Sequence, residues 1–184
     1  TISIIIGQKD GIFKMREPVN VGRLPIALVA GDFNNDQKLD LAVTLRFDKL
    51  VILLGAGDGQ FKAGEPINAS GTPASMAVGH FNGDKYLDLA LAFSAVNTDS
   101  IQVFFGNGDG TFKPPQRIPG GGQSSFITQY DMNGDNMADL IVSNTTKDSL
   151  TLFLGNGKGD FQKMPDFAGE RGPGSFVAGE FTGD

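Results

Sequence analysis

The chain of 184 residues contains no cysteine and no tryptophan, and His80 is its one histidine. The absence of cysteine excludes a disulfide scaffold and a cysteine nucleophile. Histidine-centred acid–base chemistry can rest only on His80, and no Gly-x-Ser-x-Gly elbow supplies a serine nucleophile. The sequence therefore predicts a binding protein, not an enzyme, with no catalytic residues and no organic cofactor.

Long hydrophobic runs and clustered positive charge are also missing. No apolar stretch approaches the roughly 20 residues that a membrane-spanning helix requires, so no membrane insertion is expected. The net charge is −6, and no Lys/Arg-rich face is present for a phosphate backbone, so nucleic acid is not the expected partner. The first residues show neither an initiator Met nor a signal-peptide pattern, as expected of a mature secreted protein or of a fragment.

Glycine, by contrast, is abundant, with 26 residues, and the sequence repeats. An acidic stretch beginning Gly-Asp-Phe-Asn-Asn-Asp at residue 31 recurs from residues 79, 130 and 179 with substitutions, each complete copy ending in a hydrophobic run. The first loop positions of these copies, 32, 80, 131 and 180, are 48, 51 and 49 residues apart. Such a period is typical of propellers and solenoids.

A second marker recurs with the same spacing. It is a turn that opens with a glycine and ends in a phenylalanine; the glycines are Gly7, Gly55, Gly106 and Gly155, and the phenylalanines are Phe13, Phe61, Phe112 and Phe161. Between the markers lie short apolar or alternating stretches, and none shows a sustained helical period. We therefore predict an all-β fold built of four-stranded antiparallel propeller blades, and we expect Phe33, Phe81, Phe181, Phe61 and Phe112 to pack between blades.

The acidic loops have the donor spacing of a calcium site. In the loop of residues 32–40, oxygen donors fall at positions 1, 3, 5 and 9, with a backbone carbonyl at position 7; they are Asp32, Asn34, Asp36, Asp40 and the carbonyl of Lys38. The loop of residues 131–139 repeats the set as Asp131, Asn133, Asp135, Asp139 and the carbonyl of Met137. Ca²⁺ prefers six to eight oxygen ligands, and carboxylates this close together repel each other unless a cation neutralises them.

The other two loops depart from this pattern. In residues 80–88, His80 replaces the first Asp, while Asn82, Asp84, the carbonyl of Tyr86 and Asp88 remain as weaker candidates. The loop at 180–184 has Glu180, Thr182 and Asp184 but no downstream donors. An EF-hand needs a Glu at position 12 and helices on both sides. Position 12 is Val43 in the loop that starts at residue 32 and Val142 in the loop that starts at residue 131, and the flanking segments have strand character, so an EF-hand is excluded. An Asx-rich turn without metal is the alternative, which the recurrence in register disfavours.

These residues resemble the FG-GAP or VCBS-type repeats of integrin α-subunit β-propellers and related bacterial proteins, over the whole of residues 1–184. The most specific part is the Asp-x-Asn-x-Asp-x-x-x-Asp loop followed by an apolar strand, as in residues 32–43. The resemblance implies Ca²⁺ in the loop between the first two strands of a blade. It also implies partner binding on the face opposite the calcium loops. The calcium affinity common in extracellular modules fits a secreted or cell-surface location.

Spacing identifies the same face. The distance from each turn glycine to the next loop start is constant at 25 residues, as from 7 to 32, while the distance from loop start to glycine is 23, 26 or 24. The variable segments 45–49, 92–100 and 143–149 therefore lie opposite the loops, beside 22–25, 71–75 and 120–125. Variable loops on a rigid frame usually carry recognition.

From this arrangement the sequence predicts an extracellular module for protein recognition or cell adhesion. A carbohydrate-binding, lectin-like propeller, or an accessory domain of a polysaccharide-acting enzyme, is the alternative. About three and a half blades are expected within a larger ring, completed either by further blades or by association with a second copy.

Overall fold

The computed structural model describes residues 1–94, 100–120, 122–169 and 171–181. Every regular element in these ranges is a β-strand, and every strand pairing is antiparallel. No helix within these ranges is long and apolar enough to cross a membrane. The all-β prediction is confirmed. The variable segment 92–100 is described only in part, and Thr182 and Asp184 lie outside the described residues.

The chain opens with a two-stranded hairpin and continues through three sheets, which we number blades 1 to 3. The opening hairpin pairs β1 (Ile5–Gly7) with β2 (Phe13–Met15). Blade 1 contains β3 (Pro25–Gly31), β4 (Asp40–Leu45), β5 (Lys49–Gly55), β6 (Phe61–Ala63) and β7 (Ile67–Asn68).

Blade 2 contains β8 (Pro73–Gly79), β9 (Asp88–Phe93), β10 (Ser100–Phe104) and β11 (Gln116–Pro119). Blade 3 contains β12 (Ser124–Tyr130), β13 (Asp139–Asn144), β14 (Ser149–Gly155), β15 (Phe161–Lys163) and β16 (Phe167–Ala168). In each blade the strands pair in chain order, and β7 and β16 continue the fourth strand after a break, pairing β5 and β14.

The second strand of each blade is buried along its whole length. In β4 all six residues from Asp40 to Leu45 are buried. Leu41 and Val43 belong to the core layer shared with residues that flank the opening hairpin, among them Ile4 and Val19, whereas Ala42 belongs to the layer shared with blade 2. Because both faces are covered by neighbouring sheets, the strand does not show a polar outer face, and even Asp40 is enclosed.

Neighbouring blades are joined by a repeated contact between a loop and a hairpin. The ring of Phe33 in blade 1 lies 6.0 Å from that of Phe112 in blade 2, and Gly110 N donates to Phe33 O at 2.9 Å. Phe81 and Phe161 repeat the pair between blades 2 and 3 at 5.8 Å, with Gly159 N donating to Phe81 O. Stacking between blades was therefore predicted correctly for Phe33, Phe81 and Phe112, and Phe161 joins them.

Phe181 departs from that prediction. It occupies the same repeat position as Phe33 and Phe81 but is 78% exposed, whereas they are almost fully buried. The reason is that Phe33 and Phe81 are each covered by the hairpin of the following blade. Among the described residues no such hairpin covers Phe181.

The hairpin glycines make the blade contact possible, which gives a first test. Gly159 has φ +93°, and a Cβ there would lie 2.8 Å from Phe105 Cζ of blade 2, whereas Gly134 has φ +77° with nothing within 4 Å. Gly134→Ala, the control, should cost only the left-handed backbone penalty of about 1 kcal/mol. Gly159→Ala should lower the free energy of unfolding by at least about 1 kcal/mol more, because it adds a clash between blades. Urea denaturation in chelator measures both, and equal losses would contradict the blade contact.

Candidate metal centres

Each predicted metal loop is a tight curl between the first and second strands of its blade. Positions 4 and 6 of loop 1 (residues 32–40) and of loop 3 (residues 131–139) have positive φ, between 59° and 77°; these residues are Asn35 and Gln37, and Gly134 and Asn136. Asn and Gly tolerate this conformation best, so most of these choices suit the curl. Loops 1 and 3 therefore share one backbone shape.

The first carboxylate holds that shape by accepting backbone N–H groups. Asp32 accepts from the N–H of positions 5 and 6, at 3.1 and 2.8 Å. Asp131 does the same at 3.2 and 2.8 Å and also accepts from Gly134 N at 2.8 Å. The two loops are thus closed by the same bonds from the same position.

The middle donors continue the pattern two residues at a time. Asn34 accepts from the N–H of Asp36 at 3.1 Å, and Asp36 accepts from that of Lys38 at 3.0 Å. In loop 3, Asn133 accepts from Asp135 N at 3.1 Å and Asp135 from Met137 N at 2.8 Å. Each side chain at positions 1, 3 and 5 therefore places an oxygen on the inner side of the curl.

Two of these carboxylates, Asp36 and Asp131, have a lowered pKa. Partial desolvation raises the pKa of Asp131, but backbone N–H groups led by that of Asn136 outweigh it and leave the pKa below its ordinary value. For Asp36 desolvation is likewise outweighed, by the N–H of Lys38, by Asn34 and by the Lys38 ammonium. That ammonium lies 3.6 Å from Asp36 Oδ2. Loop 3 has Met137 at the same position and so carries no such internal cation.

The ninth residue of each loop has a separate role that the sequence did not reveal. Asp40 is fully buried, and its two oxygens accept from different parts of the blade, from Phe33 N at 2.9 Å and from Gly55 N at 2.8 Å. Asp88 bonds Phe81 N and Gly106 N, and Asp139 bonds Met132 N and Gly155 N, with all four distances at 2.8 or 2.9 Å. This carboxylate ties the metal loop to the hairpin that follows the third strand.

The same contact explains why the second sequence marker begins with glycine. A Cβ on Gly55 would lie 2.1 Å from the carbonyl oxygen of Leu39, the eighth loop residue. On Gly106 and Gly155 it would lie 2.3 Å from the carbonyl oxygens of Leu87 and Ala138. No other residue fits this approach, so the two repeat markers are one structural unit.

Loop 2 (residues 80–88) is closed differently. His80 Nδ1 lies 2.9 Å from the carbonyl oxygen of Tyr86, and Nδ1 must be the donor because a carbonyl only accepts. This carbonyl is the position-7 donor predicted for a metal. Position 6 of the loop, Lys85, is not in the left-handed region, unlike Gln37 and Asn136. Burial raises the pKa of Asp88, against the hydrogen bonds of Gly106 and Phe81 and with a further increase from Asp84.

The predicted donors thus come together only in part. Asn82, Asp84, Tyr86 and His80 lie around one curl, as do the corresponding groups of loops 1 and 3, but the ninth Asp is committed to the hairpin. Within the part of the chain that the structure describes, no three Asp, Glu or His side chains are close enough together to hold a metal ion as they stand. Glu180 belongs to the fourth loop, whose residues 182–184 lie outside the described ranges.

The donor set tests whether Ca²⁺ fits. Loops 1 and 3 offer hard carboxylate and amide oxygens, which suit Ca²⁺, and most of these oxygens keep a lone pair after their backbone bonds; Asp131 Oδ1, which accepts two, is the exception. In loop 2 His80 replaces the first carboxylate, and its N–H already donates a hydrogen bond to the position-7 carbonyl of Tyr86. Loops 1 and 3 fit the ion, and loop 2 does not.

Four-stranded antiparallel blades with an oxygen-rich loop between the first and second strands define a β-propeller-type repeat protein. A scan against family models matches the FG-GAP-like repeat three times, over residues 32–91, 80–142 and 131–184. The chain therefore belongs to the FG-GAP-like repeat family. A search of curated proteins finds no match.

The buried ninth carboxylate can be tested in the loop that does not fit calcium. Asp88→Ala should lower the free energy of unfolding by about 2–6 kcal/mol, because two buried N–H groups lose their acceptor at about 1–3 kcal/mol each. Asp88→Asn, which keeps one acceptor oxygen, should lose less. Glu65→Ala, an exposed acid in the same protein, should change stability by no more than about 0.5 kcal/mol. Chemical denaturation in the presence of chelator gives the values, and a neutral Asp88→Ala would contradict the role.

Proposed function

We propose that the protein is a calcium-stabilised extracellular module for protein recognition, with Ca²⁺ in loops 1 and 3. The observation that carries the proposal is the equivalence of these loops: the same donors at positions 1, 3 and 5, the same backbone bonds and the same positive-φ positions. Asp32, Asn34, Asp36 and the carbonyl of Lys38 would hold one ion. Asp131, Asn133, Asp135 and the carbonyl of Met137 would hold the other.

The ion would serve structure rather than chemistry. It would neutralise the charged donors of the curl and so fix the conformation of the loop. Asp40 and Asp139 would then hold the hairpin glycines against this fixed loop, because they accept the N–H groups of Gly55 and Gly155. We further infer that loop 3 binds more tightly than loop 1, because the Lys38 ammonium beside Asp36 competes with a cation there.

An extracellular location is consistent with such sites. Extracellular calcium modules commonly have Kd values of about 10⁻⁴–10⁻³ M, which are saturated only where calcium is abundant. Recognition is assigned to the face opposite the loops, where the turns at 46–48 and 145–148 join the second and third strands of blades 1 and 3. These turns differ in length and sequence while the ladders beneath them match.

Calcium uptake tests the proposal directly. Isothermal titration of the metal-free protein should give two ions per chain, and Ca²⁺ should raise Tm by mass action. Asp32→Ala and Asp131→Ala should each remove one ion, whereas Asp58→Ala, the same charge change in an exposed hairpin, should remove none. Failure to take up Ca²⁺ at millimolar concentration, or an unchanged Tm on chelation, would refute the metal assignment.

Loop 2 provides a gain-of-function test. His80→Asp restores the first carboxylate and frees the Tyr86 carbonyl, so titration should then give three ions instead of two. The same variant should be less stable than the parent in chelator and recover in Ca²⁺. His80→Ala, which removes the imidazole without adding a donor, should stay at two ions. A parent that already binds three ions would show that His80 is no obstacle.

A further inference from the structure

The turn of residues 46–48 differs in its side chains from the corresponding turn of blade 3, residues 145–148. Phe47 and Asp48 have φ values of 69° and 65°, a backbone in which Asn and Gly are preferred and a bulky aromatic is an outlier. The Phe47 side chain is nevertheless 65% exposed. A strained, exposed aromatic that packs against little of its own protein indicates a role outside the fold.

A second residue of the same kind lies beside it. Leu24 has φ 53° and is 49% exposed, and its carbonyl accepts the N–H of Arg46 at 3.0 Å. The two outliers are thus joined by a backbone bond across the ends of β3 and β4. Together with the exposed Arg23 and Arg46, they form a surface that we call the Phe47 patch: Arg23, Leu24, Arg46 and Phe47.

Blade 3 supplies an internal comparison because it has the same backbone bond. Thr145 N donates to Gln123 O at 3.0 Å, in the position of Arg46 and Leu24. Here, however, the side chains are polar and engaged: Thr145 Oγ1 bonds Gln123 O, Thr146 Oγ1 bonds Asn144 Oδ1, and Lys147 pairs with Asp166 at 3.9 Å. The scaffold therefore does not require an aromatic or an arginine at this place.

The charges of the patch define its partner. Among the described residues neither Arg23 nor Arg46 forms an ion pair, and both are exposed in a chain of net charge −6. The acidic loop of the same blade is at the other end of the seven-residue strand β3, roughly 20 Å away, beyond the Debye length of about 8 Å in physiological salt. Two arginines against the one carboxylate of Asp48 in the same turn leave the patch with a net positive charge.

We propose that the Phe47 patch is the recognition site of this module and binds an acidic protein segment that offers an apolar pocket or side chain next to carboxylates. Phe47 and Leu24 fill the apolar part, and Arg23 and Arg46 pair with the carboxylates, the combination of aromatic and arginine that dominates protein interfaces. The inference rests on the proposed function in assigning recognition to the face opposite the calcium loops, and it adds the residues and the chemistry of the partner.

The probe for this proposal is a library of random linear peptides displayed on phage, selected on the parent protein in saturating Ca²⁺. Selected peptides should be enriched in Asp and Glu beside an apolar residue. Synthetic copies should bind at least about tenfold more weakly to Phe47→Ala and to Arg46→Glu, since interface hot spots lose more than this on truncation. Lys147→Glu, the matched charge reversal in blade 3, should bind like the parent.

Phe47→Asn separates recognition from folding. Asn tolerates the left-handed backbone, so this variant should have a Tm equal to or higher than that of the parent while losing the peptide. A purely structural Phe47 would instead give a lower Tm. Titration with Ca²⁺ should still give two ions, so a failure of the patch can be told from a failure of the metal assignment.

Three results would overturn the proposal. Peptides that bind Phe47→Ala as tightly as the parent would place recognition elsewhere on this face and leave the proposed function standing. Failure to enrich any peptide on the parent relative to Phe47→Ala would remove the site. Binding of the parent to vesicles of phosphatidylcholine with phosphatidylserine, but not of phosphatidylcholine alone and not to the peptides, would make the patch a lipid contact.

Discussion

The interaction on which each blade depends is the pair of hydrogen bonds accepted by the buried ninth carboxylate. Asp40, Asp88 and Asp139 each hold one N–H of their own loop and one N–H of the glycine that opens the hairpin after the third strand. An uncompensated carboxylate in such a place would be very costly, and these backbone donors satisfy both of its oxygens. The bonds join segments that the chain separates by 15 to 18 residues.

This arrangement divides the work of the loop between two sets of oxygens. Those at positions 1, 3 and 5 shape the curl and are the ones offered to a cation. The two oxygens at position 9 bond the loop to the hairpin glycine of the same blade, and these bonds do not require a cation. Loop 2 shows that the two sets are independent. Its ninth residue, Asp88, keeps the same hydrogen bonds, although His80 donates to the Tyr86 carbonyl at position 7.

Much of the fold was predictable because the same sequence markers recur once in every blade. The glycine and aspartate markers fixed the four-stranded unit and the position of each loop, and the recurrent Phe33 and Phe81 indicated contacts between blades. The link between Asp40 and Gly55 was not predictable, since a sequence gives the spacing of residues but not which backbone N–H a carboxylate reaches. The two-sided burial of β4 was missed because its neighbours on both faces come from other repeats of the chain.

The site was predictable to the same degree and for the same reason. The donor types and their alternate spacing were sufficient to expect a curl, and the structure contains it in loops 1 and 3. The capture of the Tyr86 carbonyl by His80 depends on a side-chain rotamer, and the strained conformation of Phe47 depends on the turn that closes β4 onto β5. Neither has a signal in composition or periodicity.

The bonds from Gly110 to Phe33 and from Gly159 to Phe81 have one more consequence. In each case the hairpin of one blade is hydrogen-bonded to the loop of the blade before it, and we say that it fastens that loop. The blades should therefore unfold as a row of units coupled to their nearest neighbours and not as a single cooperative block. Amide hydrogen exchange in such a row is slowest where a unit is fastened and also fastens its neighbour. Among the described residues blade 2 is the unit that does both, so local opening in this part of the chain should reach β9 last.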